Sequence, residues 1–294
     1  MDELAREQIH RAYALSEMSE NRRLIALSAA WLAHMDYLRG DVDSMIKHLS
    51  RAYQQASPHD HAALSRSGLV VADAYHFAGR LDKAQPWYAK ARVHATAEGD
   101  EATISALMHN MAWLRAANLR QTELCGLERT ADGEHALTSA DSTLNFDQLR
   151  GTSSLRHLVP ILRAQILSLL GEFMQALDLY EEHLADALNE GLRRMHSGLL
   201  ADQAWCRLQV GQRSAAIEDA AISRALIDPN GHYDDRASAH SRLAQLYRAV
   251  SEESNAREHA SRAAEAWSMH AQLQASMIRR LAALPDINVA YRPT

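Results

Sequence analysis

The sequence is poor in the residues that build disulfide-linked, strand-rich or membrane-spanning proteins. It holds two cysteines, six prolines and three phenylalanines. Cys125 and Cys206 cannot form a disulfide framework, and they lack the paired spacing of a zinc site. No run of roughly 18 apolar residues occurs, so no membrane span is predicted. The opening MDELAREQIHRAY carries acidic side chains and lacks the apolar core of a signal peptide, which favours a cytoplasmic protein.

The chain also has no excess of positively charged residues. The formal net charge is −6 and the pI is near 6.2. Proteins that hold polyanions by releasing counterions are usually basic, so nucleic acid is not predicted as a partner. No glycine-rich phosphate loop, nucleophile elbow or HExxH motif is present. The sequence therefore predicts neither an enzyme nor a cofactor-binding protein.

What the sequence has in abundance is helix-forming residues. Hydrophobic residues make up 47% of the 294 positions and charged residues 23%, which is typical of a folded globular chain. Alanine, leucine, arginine, glutamate and glutamine dominate, and these residues favour helices over strands. We therefore expect an all-α protein.

A repeat of about 40 residues organises the chain. Similar turns between apolar helical patterns fall at Gly40, Gly79, Asn118, Gly171, Gly211 and Ser251. Glycine, asparagine and serine suit these turns, because a helix often ends with a residue at positive φ. Seven positions before each turn stands Ala33, Ala72, Met111, Ala164, Ala204 or Ala244, and five positions after it Met45, Ala84, Glu123, Ala176, Ala216 or Ala256. Small residues let two helices pack closely, so each turn predicts a helical hairpin.

The spacing of Ala72, Gly79, Ala84, Tyr88 and Ala91 resembles the tetratricopeptide repeat family. The repeat here is about 40 residues long, like variants of the family whose helices are longer than those of the usual 34-residue repeat. The resemblance covers about residues 22 to 267. It implies a right-handed superhelical α-solenoid of about six antiparallel hairpins, capped by a helix at each end. We expect one domain over residues 1–284 and a flexible tail over residues 285–294.

Two segments depart from the repeat. The step from Asn118 to Gly171 is longer than the others, which places an insertion within residues 128–156. This insertion is either a passive surface connection or a lid or docking loop. After Ser251 the next turn is missing, and the pattern predicts one long helix or a capping helix. Its apolar residues Trp267, Leu273 and Met277 could also support a homodimer through the C-terminal helix.

Sixteen histidines raise the question of a metal site. His59, Asp60 and His61 lie together in sequence, but no third or fourth ligand follows at a typical metal-binding spacing. Asp60 instead suits the N-cap of the helix that follows. We therefore predict no metal site.

The functional surface is implied by the family resemblance, since tetratricopeptide arrays bind peptides in a concave groove lined by the first helix of each hairpin. Positions six and three residues before the turns give the candidate groove residues His34, Tyr37, Asp73, His76, Arg115, Gln165, Trp205, Gln245 and Arg248. We therefore expect a non-enzymatic scaffold that binds a protein segment or peptide. The alternative is a bacterial regulatory or sensor module that recognises a small ligand or a signalling partner.

Overall fold

The structure is a computed structural model, and it describes residues 3–126, 133–150, 156–282 and 284. These residues form α-helices, one short 3-10 turn at Leu192–Met195 and no strand. In chain order the helices are α1 (Glu3–Met18), α2 (Arg22–Arg39), α3 (Val42–Gln55), α4 (His61–Phe77), α5 (Leu81–Glu98), α6 (Glu101–Leu124), α7 (Gly133–Arg150), α8 (Leu158–Leu170), α9 (Phe173–Asn189), α10 (His196–Gln209), α11 (Arg213–Ala225), α12 (Tyr233–Ala249) and α13 (Glu253–Ala282). The prediction of an all-helical protein is confirmed. Within the described ranges, no helix has both the length and the apolar character needed to cross a membrane.

Consecutive helices pack in pairs around tight turns. Helix α2 contacts α3, α4 contacts α5, α8 contacts α9, and α10 contacts α11. The turn residues Gly40, Gly79, Gly171, Gly211 and Ser251 all have positive φ. Below, α2, α4, α8, α10 and α12 are called first helices, because each precedes one of these turns.

Small residues bring the paired helices close together. Ala72 on α4 and Ala84 on α5 are fully buried. A Cβ atom added at Gly68 on α4 would lie 3.3 Å from the Cβ atom of Ala91 on α5, which is a tight contact. The repeat of small residues therefore acts by letting the backbones of two helices approach.

The turn predicted at Asn118 is absent from the structure. Asn118 lies inside α6, which continues to Leu124, and the chain turns at Gly126 with a φ of 69°. An asparagine inside a helix costs well under 1 kcal/mol relative to alanine, which packing can offset. Ala112 and Ala116 supply that packing, because both are buried in one apolar cluster of α6, α7 and α8.

Part of the predicted insertion is a packed helix. Residues 133–150 form α7, and its Ala136, Ala140 and Thr143 are buried. These three positions are spaced by four and three residues, so they form one narrow stripe of small side chains. The stripe is weakly apolar, which explains why the sequence pattern suggested a loop. Residues 128–132 and 151–155 lie outside the described residues.

The described residues group into two compact units, and the single domain expected over residues 1–284 stays a prediction. Of the described residues, 3–110, 273–282 and 284 belong to unit 1, and 111–126, 133–150 and 156–272 belong to unit 2. Unit 1 thus holds α1 to α5, the start of α6 and the end of α13. Unit 2 holds the rest of α6, α7 to α12 and the first twenty residues of α13. The predicted tail, residues 285–294, lies outside the described residues.

Helix α13 is one continuous helix of 30 residues. Met277 in its last turns is buried, and it belongs to the same apolar cluster as Met45 and Ala74 of unit 1. In unit 2, the Trp267 indole N–H donates a hydrogen bond of 2.9 Å to the Ser241 hydroxyl group. Leu273 packs against the same cluster as Met277, so all three side chains suggested for a homodimer contact are engaged within the same chain.

Candidate functional site

A buried polar network surrounds Asp73 on α4. The Tyr88 hydroxyl group donates to Asp73 Oδ1 over 2.7 Å, and the Asn110 amide group donates to Oδ2 over 2.7 Å. His76 Nδ1 lies 3.2 Å from the Tyr88 hydroxyl oxygen. Tyr88 is nine residues beyond the Gly79 turn, so the α4–α5 pairing itself carries its hydroxyl group back to α4. The network ties α4, α5 and the start of α6 together.

The charge of Asp73 is poorly stabilised at this position. Burial raises the pKa of its carboxyl group to about 7, although the hydrogen bonds from Tyr88 and Asn110 and the charge of Arg66 oppose the shift. Neutral donors satisfy the carboxylate oxygens without supplying a positive charge. Asp73 therefore exchanges its proton near neutral pH.

An aromatic and basic patch lies on α2, α4 and the start of α6 in unit 1. We call it the Trp31 patch, and it consists of Trp31, His34, Arg66 and Thr103. The Arg66 guanidinium carbon lies 4.0 Å from the centre of the Trp31 ring, and Arg66 Nη2 donates to the Thr103 hydroxyl oxygen over 3.2 Å. Trp31 and Arg66 are both half-buried, so part of each faces solvent.

His34 completes the Trp31 patch in the neutral state. Its ring meets the Trp31 ring edge to face, with centroids 5.9 Å apart. Burial and the nearby charge of Arg66 lower the pKa of His34 to about 4. Its Nδ1 atom is buried and has no hydrogen-bond partner among the described residues. The patch thus offers a cation and an aromatic ring, with a neutral imidazole packed beneath them.

A buried ion cluster joins three helices of unit 2. Arg120 of α6 donates from Nε to Asp202 Oδ2 over 2.9 Å, and Arg242 of α12 donates from Nε to Asp202 Oδ1 over 2.9 Å. The other nitrogens of Arg242 bind both carboxylate oxygens of Glu123, at 3.1 and 2.9 Å. Asp202 and Arg242 are almost fully buried. Two arginines and two acids balance one another, as buried charges require.

The edge of this ion cluster resembles the Trp31 patch. The Arg242 guanidinium carbon lies 5.5 Å from the centre of the Trp205 ring, and Arg242 Nη1 donates to Gln245 Oε1 over 2.6 Å. Trp205 and Gln245 are half-buried. In each unit, then, a tryptophan of one first helix packs beside an arginine of the next first helix.

The nine candidate groove residues differ widely in exposure. Asp73, His76 and Gln165 are buried, His34, Tyr37, Arg115, Trp205 and Gln245 are half-buried, and Arg248 is exposed. The spacing from each turn placed all nine on one helix face, but it did not reveal how deeply that face is covered. Asp73 and His76 point into the interior, so in this structure neither side chain is open to a peptide.

Several half-buried candidates have partners within the chain. The Tyr37 hydroxyl group donates to the Asp73 carbonyl oxygen over 3.4 Å. Arg115 donates to the Ser139 hydroxyl oxygen of α7 over 2.8 Å. The sequence analysis missed Arg66, Arg120 and Arg242, because a charged residue within a helix does not show which distant residue it binds.

Histidine pairs are a second feature that the sequence did not reveal. The Nδ1 atoms of His61 and His94 are 2.8 Å apart, those of His157 and His183 3.1 Å, and those of His240 and His259 2.8 Å. Such a contact needs one nitrogen to donate and the other to accept, so the two rings of a pair cannot both be protonated without repulsion. No group of three or more ligand residues suited to a metal ion occurs within the described ranges.

A separate depression lies on α1 of unit 1. Its volume is about 460 Å³, and Leu4, Arg6, Glu7 and His10 line it. None of the nine candidate groove residues belongs to its lining.

Comparison with known proteins gives this chain no family. No protein-family model matches the sequence, and no curated protein matches it significantly. The resemblance to tetratricopeptide repeats accordingly stays a prediction made from the residues.

Proposed function

We propose that this protein is a non-enzymatic helical-repeat scaffold that binds a segment of another protein on its first helices. The solenoid of antiparallel hairpins and the tetratricopeptide resemblance are part of the same proposal. The observation that carries it is the Trp31 patch, where a partly exposed tryptophan and arginine lie side by side. Tryptophan and arginine are the residues most often found at the energetic centre of protein interfaces.

The charges of the Trp31 patch suggest what kind of segment binds. Arg66 is half-buried, and its hydrogen bond goes to the neutral hydroxyl group of Thr103. The carboxylates of Asp100 and Asp73 act on Arg66 through their charges, and a ligand carboxylate can supply a direct partner. His34 is neutral above about pH 4, so it adds no second positive charge that would compete for that carboxylate. We infer a peptide with an apolar side chain for Trp31 and an acidic side chain for Arg66.

The corresponding place in unit 2 has a different charge. Arg242 is already neutralised by Asp202 and Glu123. Trp205 and Gln245 remain half-exposed there, and they offer an apolar surface and an amide group. Unit 2 is therefore suited to a neutral stretch of peptide.

Selection from a random 16-residue peptide library on phage tests the proposal. A peptide enriched by the wild-type protein is synthesised with a fluorophore, and its dissociation constant is measured by anisotropy. We expect acidic and apolar residues in the enriched peptides. Trp31→Ala and Arg66→Ala should each weaken binding about 30-fold, which corresponds to the roughly 2 kcal/mol of a central interface residue.

Trp87 offers a matched control. It is also half-buried and lies 4.4 Å from a cation, Lys90, but it stands on the second helix α5. Trp87→Ala should change the dissociation constant less than about threefold. If no peptide is enriched, or if Trp31→Ala binds like the wild type, the peptide-binding proposal is wrong. A metabolite that raises the melting temperature of the wild type but not of Trp31→Ala would support the sensor alternative instead.

A further inference from the structure

The last turns of α13 form an amphipathic helix that lies on unit 1. Leu273, Met277 and Leu281 are spaced by four residues, so they share one side of the helix. Met277 and Leu281 are 2% and 3% exposed. Ala275, Arg279 and Ala282 on the other side are exposed. We call residues 273–282 the C-terminal segment.

The C-terminal segment covers the end of two helix pairs near their turns. Its apolar residues belong to one cluster with residues at the end of α2, the start of α3 and the end of α4. We call that surface of unit 1 the turn face, and it consists of Tyr37, Val42, Met45, Ile46, Phe77 and Ala78. The turn face is distinct from the Trp31 patch, so this inference does not depend on the proposed function.

Two polar contacts fix the direction of the segment on the turn face. Gln274 Nε2 donates to the Phe77 carbonyl oxygen over 2.7 Å, and Arg280 Nη2 lies 2.8 Å from Asp43 Oδ1. Phe77 ends α4, where carbonyl groups have no partner within the helix, so the Gln274 amide caps them. Asp43 lies in the first turn of α3. The segment therefore runs from the end of α4 to the start of α3.

Helix α13 also has buried residues outside the C-terminal segment. Its earlier residues Ala256, His259 and Ala266 are buried within unit 2. Trp267 holds a hydrogen bond to Ser241 there. In the C-terminal segment itself, only Met277 and Leu281 are fully buried, and the Arg280–Asp43 pair is largely exposed. Exposed pairs stabilise little, so two buried side chains and one amide contact carry most of the segment's attachment to the turn face.

We propose that the turn face is a docking site for an amphipathic helix and that the C-terminal segment is its internal occupant. The partner is a helix with apolar residues at positions i, i+4 and i+8, an amide at i+1 and a basic residue at i+7. Those positions correspond to Leu273, Met277, Leu281, Gln274 and Arg280. This is helix-in-groove recognition, in which a partner helix displaces the chain's own helix.

A synthetic peptide of residues 270–284, labelled with a fluorophore, tests the proposal on the full chain. The Met277→Asp, Leu281→Asp double variant places two charges against the apolar turn face and releases the segment. The Ala275→Asp, Ala282→Asp double variant adds the same charge on the exposed side and serves as the control. Circular dichroism verifies that both variants keep their helix content.

The released variant should bind the peptide at least tenfold more tightly than the wild type or the control variant. The tethered segment competes at an effective concentration in the millimolar range, and only the released variant has lost that competitor. A peptide that carries the same two aspartates should not bind. Equal binding by all three proteins, or no saturable binding by the folded released variant, would overturn the proposal.

Hydrogen exchange of the wild-type protein gives a second test that needs no substitution. Millimolar peptide should accelerate amide exchange in residues 273–282, because the displaced segment loses its protection. Unchanged exchange at saturating peptide would contradict displacement. A released variant that doubles in mass with concentration, measured by light scattering, would show a second copy as the occupant and would also overturn the proposal.

Discussion

The Asp73→Asn substitution tests whether a buried carboxyl group controls the stability of unit 1 near neutral pH. Burial raises the pKa of Asp73 from 3.8 to about 7. The folded state therefore binds this proton more tightly than the unfolded state. The resulting stability is fully present below about pH 4 and is lost as the pH rises through about 7.

The change in the free energy of unfolding follows from the pKa shift of Asp73. Each pKa unit corresponds to about 1.4 kcal/mol, so the whole shift amounts to about 4 kcal/mol. Between pH 5 and pH 8 the contribution of Asp73 should fall by about 3 kcal/mol. The asparagine side chain of the variant does not titrate, and the other ionisable groups affect both proteins equally. The stability of the wild type relative to Asp73→Asn should therefore decrease by about 3 kcal/mol over that range.

Urea unfolding at pH 5 and pH 8 measures this difference. Hydrogen exchange of peptides from α4 follows unit 1 separately from unit 2, which matters because two units need not unfold together. Tyr88→Phe is the companion variant. It removes a donor to the carboxylate, so the pKa of Asp73 should rise further and the loss of stability should extend to higher pH. A difference between wild type and Asp73→Asn that stays constant from pH 5 to pH 8 would refute the reasoning.

Two further predictions concern the turns and the histidine pairs. Gly79 has a φ of 72° and open space around its missing Cβ atom, so Gly79→Ala should cost about 1 to 2 kcal/mol through backbone strain alone; an unchanged melting temperature would argue against that strain. Burial lowers the pKa of His240 and of His259 to about 4. The folded state therefore binds fewer protons than the unfolded state in acid. Unit 2 should lose stability as the pH falls from about 6.5 to about 4. His259→Gln should move acid unfolding, followed by circular dichroism, to lower pH, and equal acid midpoints would contradict this explanation.

The sequence predicted the ends of the helices better than it predicted which side chains are buried. Gly40, Gly79, Gly171 and Gly211 could be located because positive φ restricts the residue type at a helix end. The turn predicted at Asn118 was wrong because asparagine is tolerated inside helices as well as at their ends. The local sequence suggested a turn at Asn118, but the packing of Ala112 and Ala116 favours continuation of the helix.

The candidate groove shows the same limit. Spacing from the turns assigned Asp73 to a helix face, but its burial depends on Tyr88 and Asn110, which reach it from other helices. Arg242 and Glu123 are 119 residues apart, and neither residue has a local pattern that identifies the other. Contacts of this kind arise from the tertiary arrangement, so a single sequence does not reveal them.

The docking of the C-terminal segment also determines the order in which the chain can complete its folding during synthesis. Residues 111–272 of unit 2 are all synthesised before residue 273. Gln274 caps the end of α4 although it follows Phe77 by 197 residues. Chains usually complete their N-terminal domains first, but here the apolar cluster of the N-terminal helices includes Met277 and Leu281, which are made near the end of synthesis. Until then the turn face lacks the cover that the C-terminal segment supplies, and exposed apolar surface of this kind favours aggregation.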